Sequence, residues 1–139
     1  MNVFVYGTLK PGERNYPTYC QGKAIAEHKV YTYGKLYHLC LGYPGMTAGQ
    51  DKITGYLLTF ADQSVLAELD ELETYDPQVK PEQNEYQRQL IPIYDLEDHY
   101  LGEAWGYVMT PEKIKAFQGM YLPSGCWTEL TDPKKPFSK

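Results

Sequence analysis

Residues 61–75 read ADQSVLAELDELETY, and the acids among them are Asp62, Glu68, Asp70, Glu71 and Glu73. The apolar spacing predicts a helix here, started by Asp62 or Ser64 and ended by Tyr75 or Asp76 ahead of Pro77. Each residue advances by about 100° around a helix axis. Val65, Leu66, Leu69 and Leu72 then form one stripe, Glu71 lies opposite it, and Glu68 and Asp70 sit at its edges. Glu73 falls inside the stripe, so the helix aims one carboxylate at the protein interior. Burial disfavours the charged form of a carboxylate and raises its pKa. That is the setting of a general acid or base working near neutral pH. The same position also suits a core ion pair, for example with Arg88, a backbone cap, or a side chain splayed outward at a frayed helix end.

A second feature stands at the start of the chain, where NVFVYGTLKPG runs from Asn2 to Gly12. Val3, Phe4, Val5 and Tyr6 are apolar on both alternating faces, which predicts a central strand over residues 2–6, buried on both sides. The strand stops at Gly7. The successive N–H groups of Gly7, Thr8 and Leu9 can form a concave anion-binding turn. Glycine there allows positive φ and close approach of a ligand. An ordinary turn is the plain alternative. Neither the GxxxxGK[ST] phosphate loop nor the GxGxxG dinucleotide fingerprint occurs in the chain.

The remaining elements must position these two features. Residues 24–39 read as one or two strands, bent at Gly34, and residues 42–45 form a turn cluster. Residues 53–60 read as another strand. Residues 85–94 and 100–109 read as two more, joined by a polar turn at 96–99. Residues 111–117 suit a short helix. The expected fold class is α+β: a small mixed β-barrel, closed or strongly curved, with flanking helices. One domain over residues 1–130 is expected, with a loosely ordered tail, TDPKKPFSK, over 131–139.

Composition narrows the function. The chain has 139 residues, a net charge of −5 and a pI near 5.1. Such a chain repels phosphate backbones, which argues against a nucleic-acid partner. No stretch has the apolar length of a membrane span, and the N-terminus lacks the pattern of a signal peptide. Cys20, Cys40 and Cys126 are odd in number and far apart, which fits free thiols in a reducing cytoplasm. His28, His38 and His99 are scattered, and there is no CxxC or HExxH, so no metal site is expected. The 14 tyrosines suit half-buried strands and also the walls of a pocket for a small polar ligand. A glycosidase would need two acids facing each other across a bond, and the single inward acid does not supply them. A thiol enzyme has no local signal.

Four motifs in order carry a family resemblance. They are Tyr6-Gly7-Thr8-Leu9-Lys10, Leu69-Asp70-Glu71-Leu72-Glu73, Tyr86-Gln87-Arg88 and Trp105-Gly106-Tyr107-Val108. Together they resemble the γ-glutamylcyclotransferase-like proteins, in the γ-glutamylamine cyclotransferase and avirulence-induced-gene-like branch, over residues 2–109. The resemblance implies a small β-barrel with flanking helices and a cofactor-independent enzyme. It implies Glu73 as the catalytic acid/base and Tyr6, Gly7, Thr8 and Leu9 as substrate-binding residues. Tyr107 and Tyr86 are candidate pocket walls, with a plain core role as the alternative. The implied substrate is a γ-glutamyl amide or γ-glutamylamine, whose α-amine attacks its own γ-carbonyl to release 5-oxoproline and a free amine. The competing reading is a non-catalytic module that binds a small carboxylate or amide on the same scaffold. The leaving amine and the oligomeric state stay open.

Overall fold

The computed structural model describes residues 1–129. The tail expected over 131–139 lies outside the described residues. In chain order the elements are β1 (Asn2–Val5), α1 (Tyr16–Tyr19), β2 (Ala24–His38), β3 (Pro44–Phe60), α2 (Ser64–Leu72), a 3-10 turn (Pro81–Gln83), β4 (Gln87–Tyr94), β5 (Tyr100–Val108), α3 (Pro111–Ala116) and β6 (Met120–Tyr121).

β1 lies inside the sheet, as its two-sided apolar pattern requires. It pairs antiparallel with β3, from Asn2 opposite Thr59 to Val5 opposite Tyr56, and parallel with β5 at Val3 opposite Trp105. The strand order is β3-β1-β5-β4-β2-β6, and β2 also pairs with β3. The pairing path therefore returns to its start, and the mixed sheet curves round on itself. Alternate residues of β1 feed two apolar clusters. Val3 and Val5 pack with Leu58, Leu69 and Tyr107, while Phe4 and Tyr6 pack with Leu36, Ile53 and Trp127. An α+β fold with a small mixed sheet and few helices is what the pattern predicted.

Two elements differ from expectation. β3 begins at Pro44 rather than at residue 53. Its first half carries Gly, Gln, Asp and Lys, which are poor strand formers, yet it pairs with β2 down to Pro44 opposite His38. The register shifts between Gly34 and Lys35, and a Cβ on Gly34 would stand 2.9 Å from the Thr47 carbonyl oxygen. The helix is also shorter than predicted, ending at Leu72. Its start is fixed by Asp62, whose Oδ1 accepts from the Ser64 N–H at 2.9 Å.

The segment after β6 closes against the rest. Trp127 is fully buried, and its Nε1–H donates to His38 Nδ1 at 3.0 Å. The ammonium of Lys10, itself buried, donates to the Trp127 carbonyl oxygen. This contact ties the turn after β1 to the far end of the described chain. Among the described residues no helix is long and apolar enough to cross a membrane.

Candidate active site

A cavity of about 250 Å³ opens where β1 ends. Tyr6, Gly7, Thr8, Leu9, Glu73 and Tyr107 all line it, so the structure brings every site residue expected from sequence to one place. Arg14, Asn15, Tyr43, Glu85 and Tyr86 line it as well.

Glu73 is the residue on which α2 stops. Its backbone (φ −84°, ψ 4°) has left the helix, while its N–H still donates to Leu69 O at 2.9 Å. Thr74 follows in the left-handed region (φ 52°) and turns the chain away. The rotational phase therefore holds through Glu73 although the helix ends before it. The side chain is partly exposed, lining the cavity, and otherwise enclosed by protein. Among the described residues it has no hydrogen-bond or ion-pair partner, and Glu85 acts on it only as a nearby charge. Burial, and after it the Glu85 carboxylate, push its carboxyl up from 4.5 to about 8.

Arg88 is not the partner of Glu73. Its Nη1 meets Asp70 Oδ2 at 2.5 Å, and its guanidinium lies over the Trp105 and Tyr75 rings at 4.9 and 5.3 Å. Asp70, one helical turn before Glu73, also accepts from the Tyr107 hydroxyl at 2.7 Å. That pair fixes the Tyr107 wall and leaves Glu73 unclaimed. Glu71 is exposed, as the helix phase requires. Glu71→Gln is expected to leave turnover unchanged and stability within about 0.5 kcal/mol of wild type. Activity and thermal melts of the purified variant check this, and a large loss of either would mean that the helix phase is wrong.

The turn after β1 is closed by the Lys10 N–H donating to Gly7 O at 3.1 Å. Among the described residues the N–H groups of Gly7, Thr8 and Leu9 donate to no turn or loop carbonyl. Thr8 is held by Asn15, whose Nδ2 donates to Thr8 Oγ1 at 2.9 Å and whose backbone N–H donates to Thr8 O at 2.9 Å. Positive φ is not why Gly7 is glycine, since it lies outside the left-handed residues of this chain. A Cβ there would stand 2.6 Å from Pro44 Cγ, so the glycine serves close approach. The Leu9 side chain is buried in the core, which leaves its backbone for the site.

Four phenols surround Glu73; burial raises the pKa of each, and the Glu73 charge adds to it. Tyr6 donates to the Tyr107 carbonyl oxygen at 2.6 Å, and Tyr86 donates to the Pro44 carbonyl oxygen. Tyr43 donates to Glu85, with Oε1 at 2.9 Å and Oε2 at 3.0 Å. Among the lining residues that sequence reasoning missed, Glu85 and Tyr43 stand out because their charge or phenol acts together with Glu73. They come from distant parts of the chain, and the one local signal was that Glu85 directly precedes Tyr86-Gln87-Arg88.

Comparison with known proteins gives the same direction. The family described as Gamma-glutamyl cyclotransferase, AIG2-like, matches residues 3–129. A protein of Halalkalibacterium halodurans, named provisionally as a gamma-glutamylcyclotransferase, is 35% identical over 117 residues, which is 83% of this chain and 96% of that one. The gamma-glutamylcyclotransferase family protein ytfP of Citrobacter rodentium is 32% identical over 130 residues, covering 93% of this chain and 96% of its own. Among solved structures, a mouse AIG2-like protein superposes with a TM-score of 0.61 at 21% identity, covering 97% of this chain and 90% of its own. With a family match over nearly the whole described chain, this protein belongs to the gamma-glutamyl cyclotransferase, AIG2-like family.

Proposed function

We propose that the chain cyclises a γ-glutamyl amide or γ-glutamylamine, releasing 5-oxoproline and a free amine, with Glu73 as the single acid/base. The observation that carries this reading is the Glu73 carboxyl, without a hydrogen-bond or ion-pair partner among the described residues, sharing a cavity of about 250 Å³ with the Gly7–Leu9 turn, whose N–H groups donate to no turn or loop carbonyl among those residues. The small volume suits a glutamyl group folded back on itself. Folding brings the α-amine to the γ-carbonyl carbon and draws on the effective-molarity gain of an intramolecular attack.

The nitrogen–carbon bond forms as Glu73 takes a proton from the attacking amine. The carbonyl oxygen gains negative charge, and backbone N–H groups of the turn are the donors that offset it. Gripping the substrate α-carboxylate is the alternative use of the same groups. The tetrahedral centre then collapses, the amide C–N bond breaks, and Glu73 returns the proton to the departing amine. A carboxyl titrating near pH 8 suits both transfers, because it gives and takes a proton with little bias near neutrality.

The test is 5-oxoproline release from a panel of γ-glutamyl amides, with wild type and Glu73→Gln side by side. Release that disappears in the variant supports the reading, and the preferred panel member identifies the leaving amine. No release from any member would favour a binding module on the same scaffold. The pH profile gives a second check. Glu73 must be ionised to accept a proton, so kcat/KM should fall as pH drops through about 8. A profile that stays flat down to pH 5 would remove Glu73 from the role.

A further inference from the structure

We propose that Glu85 anchors the α-ammonium group of the substrate, with Tyr43 holding its carboxylate in position. The inference rests on the cyclotransferase reading and adds a specificity-determining residue to it.

Two carboxylates, Glu73 and Glu85, line one cavity. Among the described residues neither has a cationic partner. The cation on the cavity rim, Arg14, is exposed and its charge reaches Tyr43, but its guanidinium is engaged away from both carboxylates, with Nη1 3.3 Å from Glu129 Oε1 and Nη2 donating to Gly42 O at 3.3 Å. A partly buried acidic pair without a counter-ion is costly, and a bound cation relieves that cost. The γ-glutamyl head group carries such a cation next to its carboxylate.

Glu85 is built to stay in place. The Asp76 N–H donates to Asn84 Oδ1 at 2.9 Å, and Asn84 Nδ2 donates back to Asp76 O at 3.1 Å. This clamp folds the loop after α2 so that the Glu85 N–H donates to Thr74 O at 3.2 Å, beside the end of the helix. The Tyr43 hydroxyl spans both Glu85 oxygens and leaves each with further acceptor capacity. Among the described residues no such hydrogen bond occupies the Glu73 carboxyl, which leaves its oxygens open to take and return a proton. The division of labour also favours turnover. The held ammonium sheds one proton to solvent to become the attacking amine, and ring closure passes a second through Glu73 to the leaving amine, so the neutral lactam nitrogen lacks the charge that Glu85 holds.

The experiment measures binding without chemistry. L-Methionine sulfone presents the ammonium, the carboxylate and a sulfone in place of the γ-carbonyl, with no amide to cleave. 4-(Methylsulfonyl)butanoate is the same molecule without the ammonium. Calorimetric titration of wild type with each should show a preference for the sulfone amino acid of about tenfold or more. Glu85→Gln should remove most of that preference, Tyr43→Phe should reduce it, and Glu71→Gln should leave it intact. An undiminished preference in Glu85→Gln, or none in wild type, overturns the inference. The 5-oxoproline assay scores the reaction separately. Turnover with an undiminished preference in Glu85→Gln sinks the anchor alone. An Glu85-dependent preference without turnover sustains the anchor and sinks the cyclising reaction.

Discussion

Glu73→Gln is expected to lower kcat for 5-oxoproline release by about 10²–10⁴-fold, the usual loss when a positioned acid/base is removed. The same substitution is expected to stabilise the fold at alkaline pH. The folded-state carboxyl titrates near 8, against an ordinary 4.5. Between those values the native chain holds a proton that the unfolded chain has released. Stability therefore declines as pH rises through that window, and the full cost is present above about pH 8. Glutamine cannot ionise and avoids it. Thermal melts of the two proteins should nearly coincide at pH 4.5, separate as pH rises, and differ on the order of a few kcal/mol at pH 9 in favour of the variant. Parallel stability curves across that range would mean that Glu73 ionises as an exposed glutamate does, and its role as the proton carrier would lose its physical basis. A variant that is more stable and far less active has the signature of a group retained for chemistry.

How Glu73 was legible in the sequence, and how Glu85 was not, follows from the same physics. Rotation about a helix axis is a local property. It located Glu73 on the inner stripe even though α2 ends at Leu72 and not near Tyr75. The position of Glu85 depends on the Asp76–Asn84 clamp and on a phenol from the β2–β3 connection, and no periodicity encodes a loop closed in that way. Gly7 was expected to allow positive φ and close approach of a ligand; its φ is not positive, and the close approach that the structure shows is to the Pro44 ring, which arrives from β3. The first half of β3 was illegible because its polar residues are ordered by a long partner strand and not by their own propensity. Arg88 was a reasonable partner for an inward acid. Asp70, at the stripe edge one turn earlier, reaches it instead.

That exchange of partners makes Asp70→Ala the most costly change expected near the cavity for stability. Arg88 is 19% exposed and Asp70 16%, so water reaches both only in part. Without Asp70 the guanidinium stays between Trp105 and Tyr75 with no counter-ion, and its Nε already lacks a hydrogen-bond partner. Breaking a buried pair from one side costs about 3–5 kcal/mol, and the remaining exposure places this one near 3. Urea melts should show the midpoint falling with the slope unchanged. Arg88→Met on top of Asp70→Ala should recover part of the loss, since it removes the stranded charge and keeps an apolar chain against the two rings. If the two substitutions instead add, the ion pair is not what holds this corner. Asp70→Ala also takes away the acceptor of the Tyr107 hydroxyl, so the cavity wall loosens. A rise in KM larger than the fall in kcat is then expected, the reverse of the Glu73→Gln pattern. The contrast separates a residue that shapes the site from one that moves the proton.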